Sequence, residues 1–165
     1  MLVHPINPVY DGNSKILILG SFPSVKSREK QFFYGHPQNR FWRVLSRLLG
    51  LESDASVEEK RLFLLENRIA LWDVIASCEI EGSADSRIKN ASANDISVIL
   101  KAADISAIFV NGKTAKKYYD KYIKDKIRRD SICLPSTSAA NAAYSLERLV
   151  GEWEIILPFI KQADR

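Results

Sequence analysis

Four short apolar runs, each halted by a turn, constrain this chain more than any other feature. They are residues 16–19 in KILILGSFPS, the segment IALWDV, AIFVNG after Ser106, and SICLPS after Asp130. A strand with one wet face alternates apolar and polar residues, whereas these runs are apolar at successive positions, so both faces of each are buried. Each ends in Gly, Ser, Asn or Pro, which stop strands and build loops. Helical patterns lie between them. Phe41, Trp42, Leu45, Leu48 and Leu49 recur at helical spacing before Gly50, and Ser56 with Glu59 forms a capping box before LFLLEN. Asn94 is a cap candidate for a helix ending near Ala102, a further helix covers residues 113–129, and GEWEIILPFIKQ reads as another, interrupted by Pro158. Strands alternating with helices imply a parallel sheet. The expected fold is α/β, a three-layer α/β/α sandwich with a central, mainly parallel four-stranded sheet. Its site belongs at the carboxyl ends of the strands, where GSFPS, FVNG and LPSTS all fall.

A chain of 165 residues, 46% hydrophobic and 27% charged, suits one compact domain over 1–165 with a substantial core. The net charge of +4 favours meeting a polyanion without requiring one. The two cysteines, Cys78 and Cys133, have no second cysteine at ligand spacing, which excludes a disulfide framework or an iron–sulfur cluster. The start MLVHPINPVYDG lacks the basic and apolar regions of a signal peptide, and no stretch approaches the roughly 18 apolar residues of a membrane span. A cytoplasmic monomer that does not engage membranes is expected.

Several familiar chemistries fail on spacing. NGKT after a strand suggests a phosphate loop, but Ala107 occupies the position of its first glycine. His4 and His36, without an HExxH pattern or a cysteine pair, are too few for zinc. LPSTS is not a glycine-flanked serine elbow, and neither histidine has an evident acidic partner. Chemistry without metal, cofactor or covalent intermediate remains.

GSFPS and LPSTSAAN bring small side chains, hydroxyls and backbone amides into turns after strands. That composition allows close approach to phosphates and equally describes ordinary α/β loops. In QFFYGHPQNRFW, aromatics flank a His-Pro turn and an amide, a set able to stack on a planar base and hydrogen-bond around it. Phe41 and Trp42 fit the core face of a helix, and Tyr34, beside Gly35, is the better stacking candidate. Asn39 is also a good helix cap. The basic, aromatic KTAKKYYDKYIKDKIRR reads as a solvated helix face with Tyr118, Tyr119 or Tyr122 partly buried rather than as a nucleic-acid surface.

Taken together, LGSFPS, YGHPQNRFW, FVNGKTA and LPSTSAANA resemble, in order and spacing, the uracil-DNA glycosylase superfamily over nearly the whole chain. HPQNRFW resembles the mismatch-specific uracil-DNA glycosylases, while LPSTSAANA and LWDVIASCEIEGSADS resemble the hypoxanthine-DNA glycosylase family. Mismatch-specific enzymes carry a catalytic Asn before the proline of the first motif, where this chain has Phe22. In the hypoxanthine family the catalytic amide belongs to the HPxN segment, here Asn39, and this departure favours hypoxanthine. The second motif lacks the histidine of the uracil-specific enzymes, and Ala140 and Asn141 offer no bulky wedge.

The resemblance implies a monofunctional DNA glycosylase acting in base excision repair on double-stranded DNA containing a deaminated base, with no cofactor. Asn39 would orient a water through its amide oxygen. Gly20, Ser21, Phe22, Tyr34, His36 and Asn111 would surround the flipped base. Ser24, Ser136, Thr137, Ser138 and Asn141 would meet phosphates or the groove. Two alternatives stand: a G:T/U mismatch-specific enzyme, and a module that binds nucleic acid or nucleotides without catalysis.

Overall fold

The computed structural model describes residues 1–80 and 88–161. The four apolar runs form β2 (Ile16–Gly20), β3 (Ile69–Asp73), β6 (Ala107–Asn111) and β7 (Ile132–Leu134), paired in parallel in the order β3-β2-β6-β7. Successive residues of β2 feed different cores. Ile16 and Ile18 pack with Ile69, Leu71 and Phe109, whereas Leu17 and Leu19 pack with Ala70, Ile108 and Val110. Burial on both faces is why these strands lack alternation.

The first core is covered by α2 (Phe41–Leu49), α3 (Val57–Glu66) and α7 (Leu146–Trp153), through Phe41, Val44, Leu45, Leu64, Leu149 and Trp153. The second is covered by α4 (Ser97–Ala102) and α5 (Lys113–Tyr122), through Ile99, Ala115, Tyr118 and Tyr119. Each such large apolar side chain contributes about 1.5–3 kcal/mol on burial. The result is the expected three-layer sandwich. α1 (Val25–Lys30) follows β2 after the loop of residues 21–24.

Local signals fared unevenly. Both halves of the Ser56–Glu59 capping box form, at 3.1 and 2.9 Å. The expected helix over 113–129 stops instead at Tyr122, and a short α6 (Lys124–Ile127) follows buried Ile123, whose φ of −116° breaks the spiral. At the C-terminus α7 passes through a 3-10 turn, Glu154–Ile156, into α8 (Leu157–Ile160), with Pro158 in the first turn, where its missing N–H does no harm. Gln162, the last residue of that expected helix, lies outside the described residues.

Asn94 does not cap α4. The Asp95 carboxylate accepts from the N–H and hydroxyl of Ser97, at 3.1 and 2.6 Å, while the Asn94 amide donates to the carbonyls of Asp73 and Ile75.

A second sheet was not anticipated. β1 (Leu2–Val3), β4 (Ile75–Glu79) and β5 (Lys89–Ala93) pair antiparallel in the order β1-β4-β5. The chain's start thereby lies across the exit of β3: His4 N–H donates to the Ala76 carbonyl at 2.7 Å, and Val9 exchanges backbone hydrogen bonds with Leu71 at 2.9 Å each way. Residues 81–86, part of LWDVIASCEIEGSADS, lie outside the described residues.

The chain runs from β2 to β3 on one side, then crosses to β6 on the other. That reversal opens a crevice at the carboxyl ends of β2 and β6, where ligands bind in open α/β sheets.

Candidate active site

A cleft open to solvent at its mouth fills this crevice. Of the residues expected to act there, Asn39, Gly20, Ser21, Phe22, Tyr34, His36, Asn111, Ser24, Ser136, Thr137 and Ser138 all line it. Asn141 does not. Its amide donates to the Ser136 carbonyl at 3.0 Å and so braces the loop from behind.

One hydrogen-bonded chain joins three segments. Asn111, the last residue of β6, accepts the Thr137 N–H on Oδ1 and donates through Nδ2 to Thr137 Oγ1, both at 3.0 Å. The Thr137 hydroxyl donates to Asn39 Oδ1 at 2.8 Å, and the Thr137 carbonyl accepts the Arg40 N–H at 2.9 Å. Thr137 is 0% exposed, so its polar groups need these partners.

Asn39 Oδ1 also accepts the Phe41 N–H at 3.0 Å, capping α2 from one residue before its formal N-cap, Arg40. A backbone N–H can only donate, which fixes the amide's orientation. Both lone pairs of Oδ1 are therefore engaged, and Asn39 offers the cleft the hydrogens of Nδ2 rather than the expected acceptor. Asn111 is locked in the same way and serves as a latch for Thr137.

Arg40, which sequence reasoning passed over, ties down the LPSTSAAN loop. Its guanidinium donates to the carbonyls of Ser138 at 2.9 Å, Asn141 at 3.1 Å and Tyr144. Buried Trp153 adds a 2.9 Å bond from its indole N–H to the Pro135 carbonyl. On the opposite wall, buried Ser27 accepts the Gly35 N–H at 2.9 Å and anchors the His-Pro turn to α1.

The loop hydroxyls work as caps. Ser24 accepts the Ser27 N–H, Ser136 the Ser138 N–H and Ser138 the Ala140 N–H, at 3.1 to 3.2 Å. His36 Nδ1 accepts the Gln38 N–H at 3.1 Å, so the neutral ring carries its proton on Nε2.

The aromatic wall is pre-built. Tyr34 stacks on Phe41 at 4.1 Å, with its backbone in the left-handed region at φ 54°, a strained conformation of the kind that concentrates at functional sites. One face of Tyr34 is thus already taken. Phe22 is 9% exposed, packed edge-on against His4 at 5.9 Å and covered by the Arg28 guanidinium at 5.7 Å. It is wall more than free stacking platform.

Sequence reasoning also missed the floor. Asp73, 4% exposed, lines the cleft, and its Oδ2 lies 2.7 Å from His4 Nε2, the two side chains 5% and 3% exposed. This corrects the expectation that neither histidine has an acidic partner. A polar residue closing an apolar strand run was the signal that could have flagged Asp73. Among the described residues no group of three or more His, Cys, Asp or Glu side chains is placed to hold a metal ion, and no helix is long and apolar enough to cross a membrane.

A sandwich with its cleft between GSFPS, HPQN and LPSTS defines a known class. The chain belongs to the uracil DNA glycosylase superfamily, whose model matches residues 8–156. Within it, the chain is 39% identical over 150 residues to a protein of Methanosarcina acetivorans named hypoxanthine DNA glycosylase, covering 90% of this chain and 93% of the relative. A Methanosarcina barkeri protein of the same name is 39% identical over 113 residues, covering 67% and 72%. The solution NMR structure of a Methanosarcina acetivorans protein, described as a candidate uracil DNA glycosylase, superposes with a TM-score of 0.78 at 37% identity, covering 94% of this chain and 97% of that one.

Proposed function

We propose that this chain is a monofunctional DNA glycosylase that releases hypoxanthine from deoxyinosine in double-stranded DNA, working as a cytoplasmic monomer in base excision repair. The observation that carries the reading is the Asn111–Thr137–Asn39 chain, which fixes an amide at the wall of the cleft. The names of the two Methanosarcina relatives supply the base.

Extruding a nucleotide costs a few kcal/mol, less when its pairing is already weak, so selection starts before chemistry. In the cleft the C1′–N9 bond breaks with its electron pair passing to the purine. A water oxygen bonds to C1′ and gives up a proton that passes through solvent to the departing purine anion, leaving free hypoxanthine and an abasic site. A neutral amide takes up no proton. Asn39 acts by position, its Nδ2 donating to the water and holding a lone pair toward C1′. Most of the acceleration falls to stabilising the departing purine. Donors lining the cleft, such as His36 Nε2 and the amides after β2, would contribute about 3 kcal/mol each once bound DNA excludes water from the site.

Incubation with duplexes containing deoxyinosine, without added metal, is expected to give alkali-labile abasic sites. Folded protein that leaves the duplex intact refutes the reading, and binding without product points to a silent module. HPQNRFW and the candidate uracil DNA glycosylase structure favour a second reading, uracil or thymine release from G mismatches. Parallel rates on inosine, uracil and thymine duplexes separate the two. Asn39→Ala should lower the single-turnover rate at least a hundredfold while the lost cap removes about 1 kcal/mol of stability. Unchanged chemistry with lowered stability would leave Asn39 a cap alone.

A further inference from the structure

The proposed chemistry leaves Asp73 without a task, yet few groups are costlier to place where it sits. It ends β3 in register with Gly20, on the cleft floor and 4% exposed. A buried carboxylate is tolerated only when its oxygens find donors. His4 provides one. The His4 Nδ1 accepts the Ile6 N–H at 3.2 Å, so that nitrogen bears no proton, and the neutral ring must carry its hydrogen on Nε2 and donate it to Asp73 Oδ2 at 2.7 Å. Edge-on contacts with Phe22 at 5.9 Å and Trp72 at 6.4 Å stop the ring from turning. From the backbone side, Asn94 holds the Asp73 carbonyl at 2.9 Å.

With Oδ2 turned to His4, which does not line the cleft, Oδ1 lies against Gly20, which does. A Cβ on Gly20 would stand 2.4 Å from it. The floor therefore presents one fixed acceptor. Asn111, the residue expected to read the base, spends one hydrogen-bonding position at each end of its amide on Thr137.

Deamination rewrites the hydrogen-bonding edge that such an acceptor faces, the amino donor becoming a carbonyl and the ring nitrogen beside it gaining a proton. Adenine carries a lone pair on the ring nitrogen beside its amino group, whereas hypoxanthine carries N–H there. Cytosine and uracil differ in the same way. We infer that Asp73, oriented by His4, is the specificity-determining residue of this cleft: Oδ1 accepts the N1–H of hypoxanthine and turns away adenine, whose N1 would set a lone pair against it. The inference rests on the glycosylase reading and adds how the lesion is told from the normal base. Sites built to hydrogen-bond a substrate N–H reject analogues lacking it by about 10⁴–10⁵-fold.

Asp73→Asn tests it with an expected reversal, because His4 Nε2–H will hold the new amide's oxygen and point its NH₂ into the cleft. The variant should lose deoxyinosine cleavage at least a hundredfold and bind duplexes with non-hydrolysable 2′-fluorodeoxyadenosine as well as, or better than, those with 2′-fluorodeoxyinosine. An unchanged inosine-over-adenosine preference in a folded variant would overturn the inference. Should Asp73→Asn fail to fold, wild-type protein decides: 1-methyldeoxyinosine, which keeps the carbonyl and lacks the N–H, should be neither bound nor cut, and binding or cleavage matching deoxyinosine would overturn it. The fluorinated duplexes read recognition without bond breaking. A wild-type preference for inosine with no cleavage would therefore sink the glycosylase reading and leave this one standing, and equal binding of the two would sink this one.

Discussion

The hydroxyl of Thr137 donates to Asn39 Oδ1 at 2.8 Å across 98 residues of sequence. Thr137→Val keeps the shape and deletes the link, leaving Asn111 Nδ2 without its acceptor and Asn39 with one donor fewer. Stability should fall by about 1–3 kcal/mol in chemical denaturation. Single-turnover cleavage should drop as well, and Thr137→Ser should restore most of both. A Val variant with wild-type kinetics would show that Asn39 needs no such anchor.

Gly20 has no room for a side chain, since an added Cβ would lie 2.4 Å from Asp73 Oδ1 and 2.9 Å from the Tyr34 hydroxyl. Gly20→Ala should displace the Asp73 carboxylate and reduce base release at least tenfold. The far-ultraviolet circular dichroism spectrum should be preserved. Full activity would mean that the floor yields more readily than its contacts imply.

Arg40 spans three loop carbonyls with one planar cation, a geometry that a lysine ammonium does not reproduce. Arg40→Lys should speed amide hydrogen exchange at Ser138, Ala140, Asn141 and Tyr144 while leaving the α2 amides protected. Equal protection of the loop in both proteins would contradict the bracing role.

Burial pushes the Tyr119 hydroxyl up to about 12, and that group donates to the Arg129 carbonyl at 2.8 Å. A pKa raised above the unfolded value of 10.0 contributes stability that is complete below pH 10 and disappears as pH climbs through about 12. The full effect is about 2–3 kcal/mol. Denaturation measured between those limits should show this loss, and Tyr119→Phe should flatten it while costing about 1 kcal/mol at neutral pH through the unpaired carbonyl.

How far the sequence could be read follows from where each signal resides. The main sheet was legible because strands buried on both faces leave uninterrupted apolar runs such as ILIL. The second sheet was not: β1 has two residues, and β5, KNASA, alternates only the small side chains of Ala91 and Ala93 with polar ones, a signal too weak to stand out. The cleft was legible because loops after parallel strands converge, which placed GSFPS, FVNG and LPSTS together. The orientation of the Asn39 amide was hidden because Thr137, distant in the chain, helps to set it. The His4–Asp73 pair spans 69 residues, and His4 reaches Asp73 only because the first residues pair antiparallel with β4, a placement that no local pattern encodes.

That pair also bears on how this protein can change through descent. A substitution at Asp73 strands a buried imidazole proton, and a substitution at His4 releases a buried carboxylate, so either alone meets a stability penalty before any benefit to function appears. Positions 4 and 73 should therefore vary together among related sequences. Lineages that settle on a different base will have crossed that barrier with both residues replaced.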